Sequence, residues 1–230
     1  MPKKKVSRKK LLKEPDEFVS TTAKVLQFLR DHQRQMTLYG VVGLAMVATG
    51  MAGYLYIHWQ ESRALAIQQQ AFQLYQESFR KAASAEEEKE NYRKALEKFR
   101  EALSVYRWGK AAEVSQLYIG NCHYALKEYD QAIVAYTRCL NGPFQSMARN
   151  GLGYCYEAKG DYVKAVEDYQ KNAEEDGSPY QGEGWLGVAR CYEAQNQKQK
   201  ALEAYQKALA KNPKSPMADF IHWKISELKG

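Results

Sequence analysis

Four cysteines, four histidines and one literal Gly-x-Gly-x-x-Gly are the features of this 230-residue chain that could carry chemistry. Cys122, Cys139, Cys155 and Cys191 are 17, 16 and 36 residues apart and contain no C-x-x-C. His32, His58, His123 and His222 are too scattered to complete a zinc set, so no metal site is expected. Cys122, Cys155 and Cys191 each stand two residues after a small residue (Gly120, Gly153, Ala189) and read as small core side chains, with Cys139 taking the place of an alanine in a second helix. Cys139 and Cys155, on helices expected to be neighbours, are the one pair an oxidising compartment could join. The glycine motif Gly182, Gly184, Gly187 follows an Asp176-Gly177-Ser178-Pro179 loop rather than a strand. It therefore lacks the βαβ context in which such glycines cradle phosphate. Glu86-Glu87-Glu88 and Glu174-Glu175-Asp176 read as solvated runs at helix ends. No catalytic residue and no cofactor is expected, and the chain reads as a non-enzyme.

The elements that must position these residues begin with a membrane segment. From Leu38 to Ile57 the chain runs 20 residues without a charge, the length of a helix that crosses about 30 Å of hydrocarbon. Tyr39 at one end and Tyr54, Tyr56 and Trp59 at the other would lie at headgroup level. Residues 1–36 carry 10 Lys/Arg against 4 Asp/Glu, whereas residues 60–230 carry 24 against 23. The net charge of +7 is thus concentrated in an arm that includes Lys3, Lys4, Lys5, Arg8, Lys9, Lys10, Lys13, Lys24, Arg30 and Arg34, which places the N-terminus in the cytoplasm and argues against nucleic-acid binding. The arm is too long, and the apolar run too extended, for a cleaved leader ending at Ala64-Leu65-Ala66. Ala45, Thr49 and Gly53 form a small-residue face for a partner helix, and Phe18, Val19, Thr22, Val25, Leu26 and Leu29 recur as an amphipathic helix for the leaflet surface.

Beyond the span, one pattern recurs. Leu152-Gly153, Tyr156, Ala165 and Tyr169 match Val188-Ala189, Tyr192, Ala201 and Tyr205 in spacing. Ile119-Gly120, His123, Ala132 and Tyr136 repeat it, and Tyr92, Ala95, Phe99 and Ala102 supply a further second helix. The alanine marker steps 95, 132, 165, 201, near a 34-residue period. Residues 64–213, most fully Trp185 to Pro213, resemble the tetratricopeptide repeat. Small residues let paired helices approach, and large rings fill the gaps between pairs. Met217, Ile221, Ile225 and Leu228 form the stripe of a terminal cap.

The expected fold is therefore all-α: a cytoplasmic arm (1–36), a single transmembrane helix (37–59), and a tetratricopeptide-type α-solenoid (60–230) with repeats at about 64–107, 113–145, 146–179 and 182–215 and a capping helix at 216–228. This layout resembles the YfgM-type family, ancillary to the SecYEG translocon. The resemblance implies a bacterial inner-membrane protein with a periplasmic repeat domain, working with translocon subunits, periplasmic chaperones or exported clients. Projection of the first helices turns Leu117, Asn121, Tyr124, Asn150, Tyr154, Glu157, Leu186, Arg190 and Glu193 towards a concave groove that suits protein segments. Only Asn121 falls on a position of the Lys/Asn/Arg clamp by which cochaperone-type repeats hold a C-terminal carboxylate, Leu117 and Gly151 occupying places that need polar groups. A structural scaffold that self-associates or organises an envelope complex is the alternative reading.

Overall fold

The computed structural model describes residues 17–80 and 83–230, with the side chains of residues 17–21 outside the described part. The basic positions Lys3 to Lys13 fall outside the described residues. Ten helices and no strand are present among those described. They are α1 (Glu17–Asp31), α2 (Gln33–Arg80), α3 (Ala85–Val105), α4 (Gly109–Ala125), α5 (Tyr129–Thr137), α6 (Gln145–Ala158), α7 (Tyr162–Glu174), α8 (Gln181–Ala194), α9 (Lys198–Lys211) and α10 (Ala218–Lys229). The chain divides into two units, Met1–Ile57 and His58–Gly230.

In the first unit α1 exposes Val25, Leu26, Phe28 and Leu29. The first half of α2 exposes its apolar side chains on every side, Val41, Leu44, Met46, Val47, Met51 and Leu55 among them. An 18-residue window of α2 reaches a mean hydropathy of 1.6 with none of it buried. By length and composition, α2 is the one described helix able to cross a membrane. It does not stop at residue 59 but runs on to Arg80.

In the second unit the rest of α2 packs on α3 through Ala71, Phe72 and Tyr75 against Ala95, Phe99 and Tyr92, and the pairs α4/α5, α6/α7 and α8/α9 follow, closed by α10. The repeated small residues explain the pairing. A Cβ on Gly120 would stand 2.6 Å from the Tyr136 ring, one on Gly153 2.5 Å from the Tyr169 ring, and one on Gly187 2.7 Å from the same ring. The markers Ala95, Ala132, Ala165 and Ala201 are fully buried, as are Phe99, Tyr169 and Tyr205, each ring contributing about 2–3 kcal/mol of apolar burial. Polar stitches join helices both between adjacent pairs and within one. Gln68 donates from Nε2 to the Ala111 carbonyl and to Ser115 Oγ, both at 2.8 Å, and Asn172 donates to the Ser146 carbonyl at 2.6 Å.

The glycine motif is a packing device at the start of α8: a Cβ on Gly184 would meet the Tyr169 carbonyl oxygen at 2.7 Å and Ala173 N at 2.9 Å. The acidic runs are less free than expected. Glu87 accepts the Ala83 N–H while Ser84 caps α3, and Glu175 is held by Arg149 and Ser146. Cys139 lies not in a second helix but in the turn after α5, which ends at Thr137. All four cysteines are buried free thiols, and Cys139 and Cys155 share one apolar cluster without being joined. Burial pushes the thiols of Cys122, Cys155 and Cys191 up to about 12 and that of Cys139 up to about 11. Thiolate chemistry at neutral pH is thereby suppressed.

Candidate functional site

The concave face is built by the first helix of each pair. Between α4 and α6 it opens into a cavity of about 560 Å³. Five of the nine sequence-predicted residues, Leu117, Asn121, Tyr124, Asn150 and Tyr154, line it together. The lining is mostly aromatic and aliphatic, and Lys110 is its one charged member. Leu117 and Asn150 are buried, whereas Asn121, Tyr124 and Tyr154 are half-buried. Tyr124 and Tyr154 stand with ring centroids 6.2 Å apart.

The other four predicted residues lie further along. Leu186 and Arg190, with Tyr154 again, border a second cavity of about 370 Å³ between α8 and the turn before α10. Glu157 and Glu193 line neither of these two cavities, because their carboxylates are engaged inside the solenoid. Arg190 grips Glu157 through Nε and an Nη, each at 2.8 Å, and its guanidinium lies over the Tyr154 and Tyr169 rings at 5.6 and 5.8 Å. Lys224 of α10 reaches Glu193 at 2.5 Å. Arg190 and Glu193, projected as groups for a visitor, thus bind their own neighbours.

A common device underlies both halves. The tyrosine of each second helix passes through a small-residue gap and donates its hydroxyl to a groove residue: Tyr136 to Asn121 Oδ1 at 2.7 Å, Tyr169 to Glu157 at 2.8 Å, Tyr205 to Glu193 at 2.7 Å. Burial first, and then the carboxylates beside two of them, hold these phenols well above the ordinary value. Burial opposes the charge on Arg190, yet the Glu157 hydrogen bonds and charge outweigh it and raise the guanidinium further. Burial likewise works to raise Glu193, but hydrogen bonds from Lys224 and Tyr205 and the Lys224 charge prevail and lower it.

Sequence projection missed Phe72, Tyr118, Phe144, Met147 and Tyr180, which also wall the larger cavity. Phe72 belongs to α2, whose first-helix role carries no small-residue marker, while Phe144 and Tyr180 sit at the starts of helices where projection has no phase. The Tyr118 ring stands 4.6 Å from that of Phe72, edge to face.

Models of the tetratricopeptide repeat match residues 80–140, 116–181 and 182–215, more than half of the chain and all three complete pairs. The chain is a tetratricopeptide-repeat protein. Solved structures with this fold include TPR-like repeats from Podosopora anserina, at 16% identity over 73% of this chain and 86% of that one, with a TM-score of 0.54. A tetratricopeptide repeat protein from Parabacteroides merdae matches at 20% identity over 70% of this chain and 61% of that one, TM-score 0.52. A MamA RS-1 double mutant matches at 17% identity over 74% and 94%, TM-score 0.51. At these identities the likeness is one of fold. No curated protein sequence matches significantly. A tetratricopeptide-repeat solenoid is generally a non-enzymatic scaffold for protein–protein interaction, and that is the class of this module.

Proposed function

We propose that this tetratricopeptide-repeat protein is tethered at a bacterial inner membrane by residues 38–57, with its N-terminal arm in the cytoplasm and its repeats in the periplasm. There the concave face serves translocon subunits, periplasmic chaperones or exported clients. The observation that carries the reading is the pairing of an uncharged, fully exposed apolar stretch in α2 with a solenoid whose cavity between α4 and α6 is open and lined by aromatic anchors. Apolar side chains exposed on every side of one helix need a lipid or protein surround. The excess of Lys/Arg before that stretch supports the orientation, and the exposed Val25, Leu26, Phe28 and Leu29 of α1 suit a leaflet surface.

The test places a photocrosslinking amino acid at Tyr124 in living bacteria and a compartment reporter after Gly230. Adducts with a translocon subunit, a chaperone or an exported protein, with the reporter active outside the cytoplasm, are the expected result. A reporter active only in the cytoplasm removes the topology, and absence of any adduct removes the groove.

A further inference from the structure

Away from the groove, between the second helices α3 and α5, lies a cavity of about 410 Å³ that shares no lining residue with the two groove cavities. His123 and Gln131 line it, at the positions that Tyr156 and Lys164 hold in the next pair and Tyr192 and Lys200 in the one after. In those later pairs the lysine ammonium lies 5.4 Å from the centroid of the tyrosine ring. An imidazole and an amide are smaller than that ring and that lysine stem, and space remains.

The cations of this cavity also differ from their equivalents. Arg138 stands where the later pairs have Lys171, paired with Asp168 at 3.8 Å, and Lys207, 4.2 Å from the centroid of the Trp185 ring. Arg100 stands where α5 and α7 have the neutral Thr137 and Gln170. Both guanidiniums line the cavity, and among the described residues neither pairs with a carboxylate. Arg100 donates from an Nη to His123 Nε2 at 3.1 Å, so the imidazole accepts there and donates from Nδ1 to Glu128 at 2.6 Å. A buried neutral ring thus orients Arg100 without neutralising it. Asp130, the one acid in the lining, is engaged by Lys159. Leu103, Ile119 and Val134 give the cavity an apolar wall.

We propose that this outer cavity binds a small organic acid, its carboxylate taken by Arg100 and Arg138 and a compact aromatic or branched body laid on Leu103, Ile119 and Val134. Guanidiniums without partners in the chain suit a carboxylate, and the volume falls in the range of small-molecule sites. The inference needs neither the groove nor the membrane.

The experiment titrates the full-length chain in detergent with phenylpropionate by isothermal calorimetry, against detergent alone, with phenylpropionamide as the neutral isostere. The acid is expected to bind at one site, about tenfold or more tighter than the amide, the scale of one charge-assisted hydrogen bond. Arg100→Gln and Arg138→Gln, at exposed side chains, should each weaken the acid about tenfold while melting confirms the fold. His123→Tyr combined with Gln131→Lys copies the later pairs and should abolish binding. If that double variant folds poorly, the arginine variants still decide. Equal affinity for acid and amide, acid binding unchanged by both arginine substitutions, or no saturable heat at millimolar acid overturns the proposal. So does tighter binding of a capped peptide carrying one glutamate, which would assign the cavity to a side chain of another protein.

Discussion

The two halves of the concave face are made by the same device and end in opposite states. In both, a second-helix tyrosine slides through a small-residue gap and offers its hydroxyl to a first helix. Where the acceptor is Asn121, the neighbourhood is neutral and a cavity of about 560 Å³ remains between α4 and α6. Where the acceptors are Glu157 and Glu193, a cation arrives from the next helix but one, Arg190 of α8 or Lys224 of α10, and pairs with the carboxylate. The residue that receives the tyrosine hydroxyl therefore decides whether a repeat presents a receptive or a self-satisfied face.

Breaking the ionic half should cost most. Arg190→Ala strands the Glu157 carboxylate, 24% exposed, with only the Tyr169 hydroxyl. A loss of about 2–3 kcal/mol is expected in urea denaturation, below the 3–5 typical of fully buried pairs because both partners keep some solvent. The double change Arg190→Met with Glu157→Gln should recover most of it. In the neutral half, Asn121→Leu removes one hydrogen bond and should cost about 1 kcal/mol. Equal losses from Arg190→Ala and Asn121→Leu would erase the distinction between the halves.

What the halves share can be tested next. A Cβ on Gly151 would lie 2.5 Å from the Tyr136 ring and one on Gly187 2.7 Å from the Tyr169 ring, so Gly151→Ala and Gly187→Ala should each lower stability by about 1–3 kcal/mol despite alanine's better helix propensity. Similar losses, measured by thermal melting, would support one wedge mechanism on both sides. A neutral Gly151→Ala would show that the open half tolerates displacement of its tyrosine.

Acid separates the halves more gently. Glu193 is lowered in the folded chain from an ordinary value of 4.5, so the Lys224 pair contributes stability that is complete above about pH 4.5 and is lost as the pH falls through the folded value. The contribution is about 0.5–1 kcal/mol for a pair this exposed. Melting temperature followed from pH 6 to pH 3 should fall less steeply in Lys224→Met than in the native chain. An identical slope would assign the acid sensitivity elsewhere.

The scaffold was readable in the residue order because it depends on side-chain size at fixed spacing. Ala95, Ala132, Ala165 and Ala201 mark fully buried positions, and Gly120 and Gly153 mark close approaches to the tyrosine ring of their own pair. The state of the groove was not readable. Arg190 meets Glu157 33 residues away and Lys224 meets Glu193 31 residues away, across interfaces whose angle a single-helix projection does not contain. Projection gives a direction for each side chain but not its partner, so Glu157, Arg190 and Glu193 were indistinguishable from Asn121 and Tyr124. Cys139 escaped its helix because α5 is nine residues long and its chain must turn before Gly142-Pro143, where a Cβ on Gly142 would meet the Glu113 carboxylate at 2.5 Å.

The smallest effect lies in the turns within each pair. After α4, α6 and α8 the chain takes a left-handed residue, Lys127 at φ 62°, Gly160 at φ 76° and Asn196 at φ 58°. Each turn repeats the same two closing bonds, Lys127 to Tyr124 and Glu128 to His123, Gly160 to Glu157 and Asp161 to Tyr156, Asn196 to Glu193 and Gln197 to Tyr192. Lysine has no local hydrogen bond to offset its strained backbone there, whereas asparagine tolerates it and glycine is indifferent. Lys127→Gly should therefore stabilise the chain by about 0.5–1 kcal/mol, Asn196→Gly by less, and Gly160→Lys should destabilise it by a comparable amount, all read from denaturation midpoints. A loss on Lys127→Gly would mean that the lysine side chain holds the turn by a contact stronger than the backbone strain it imposes.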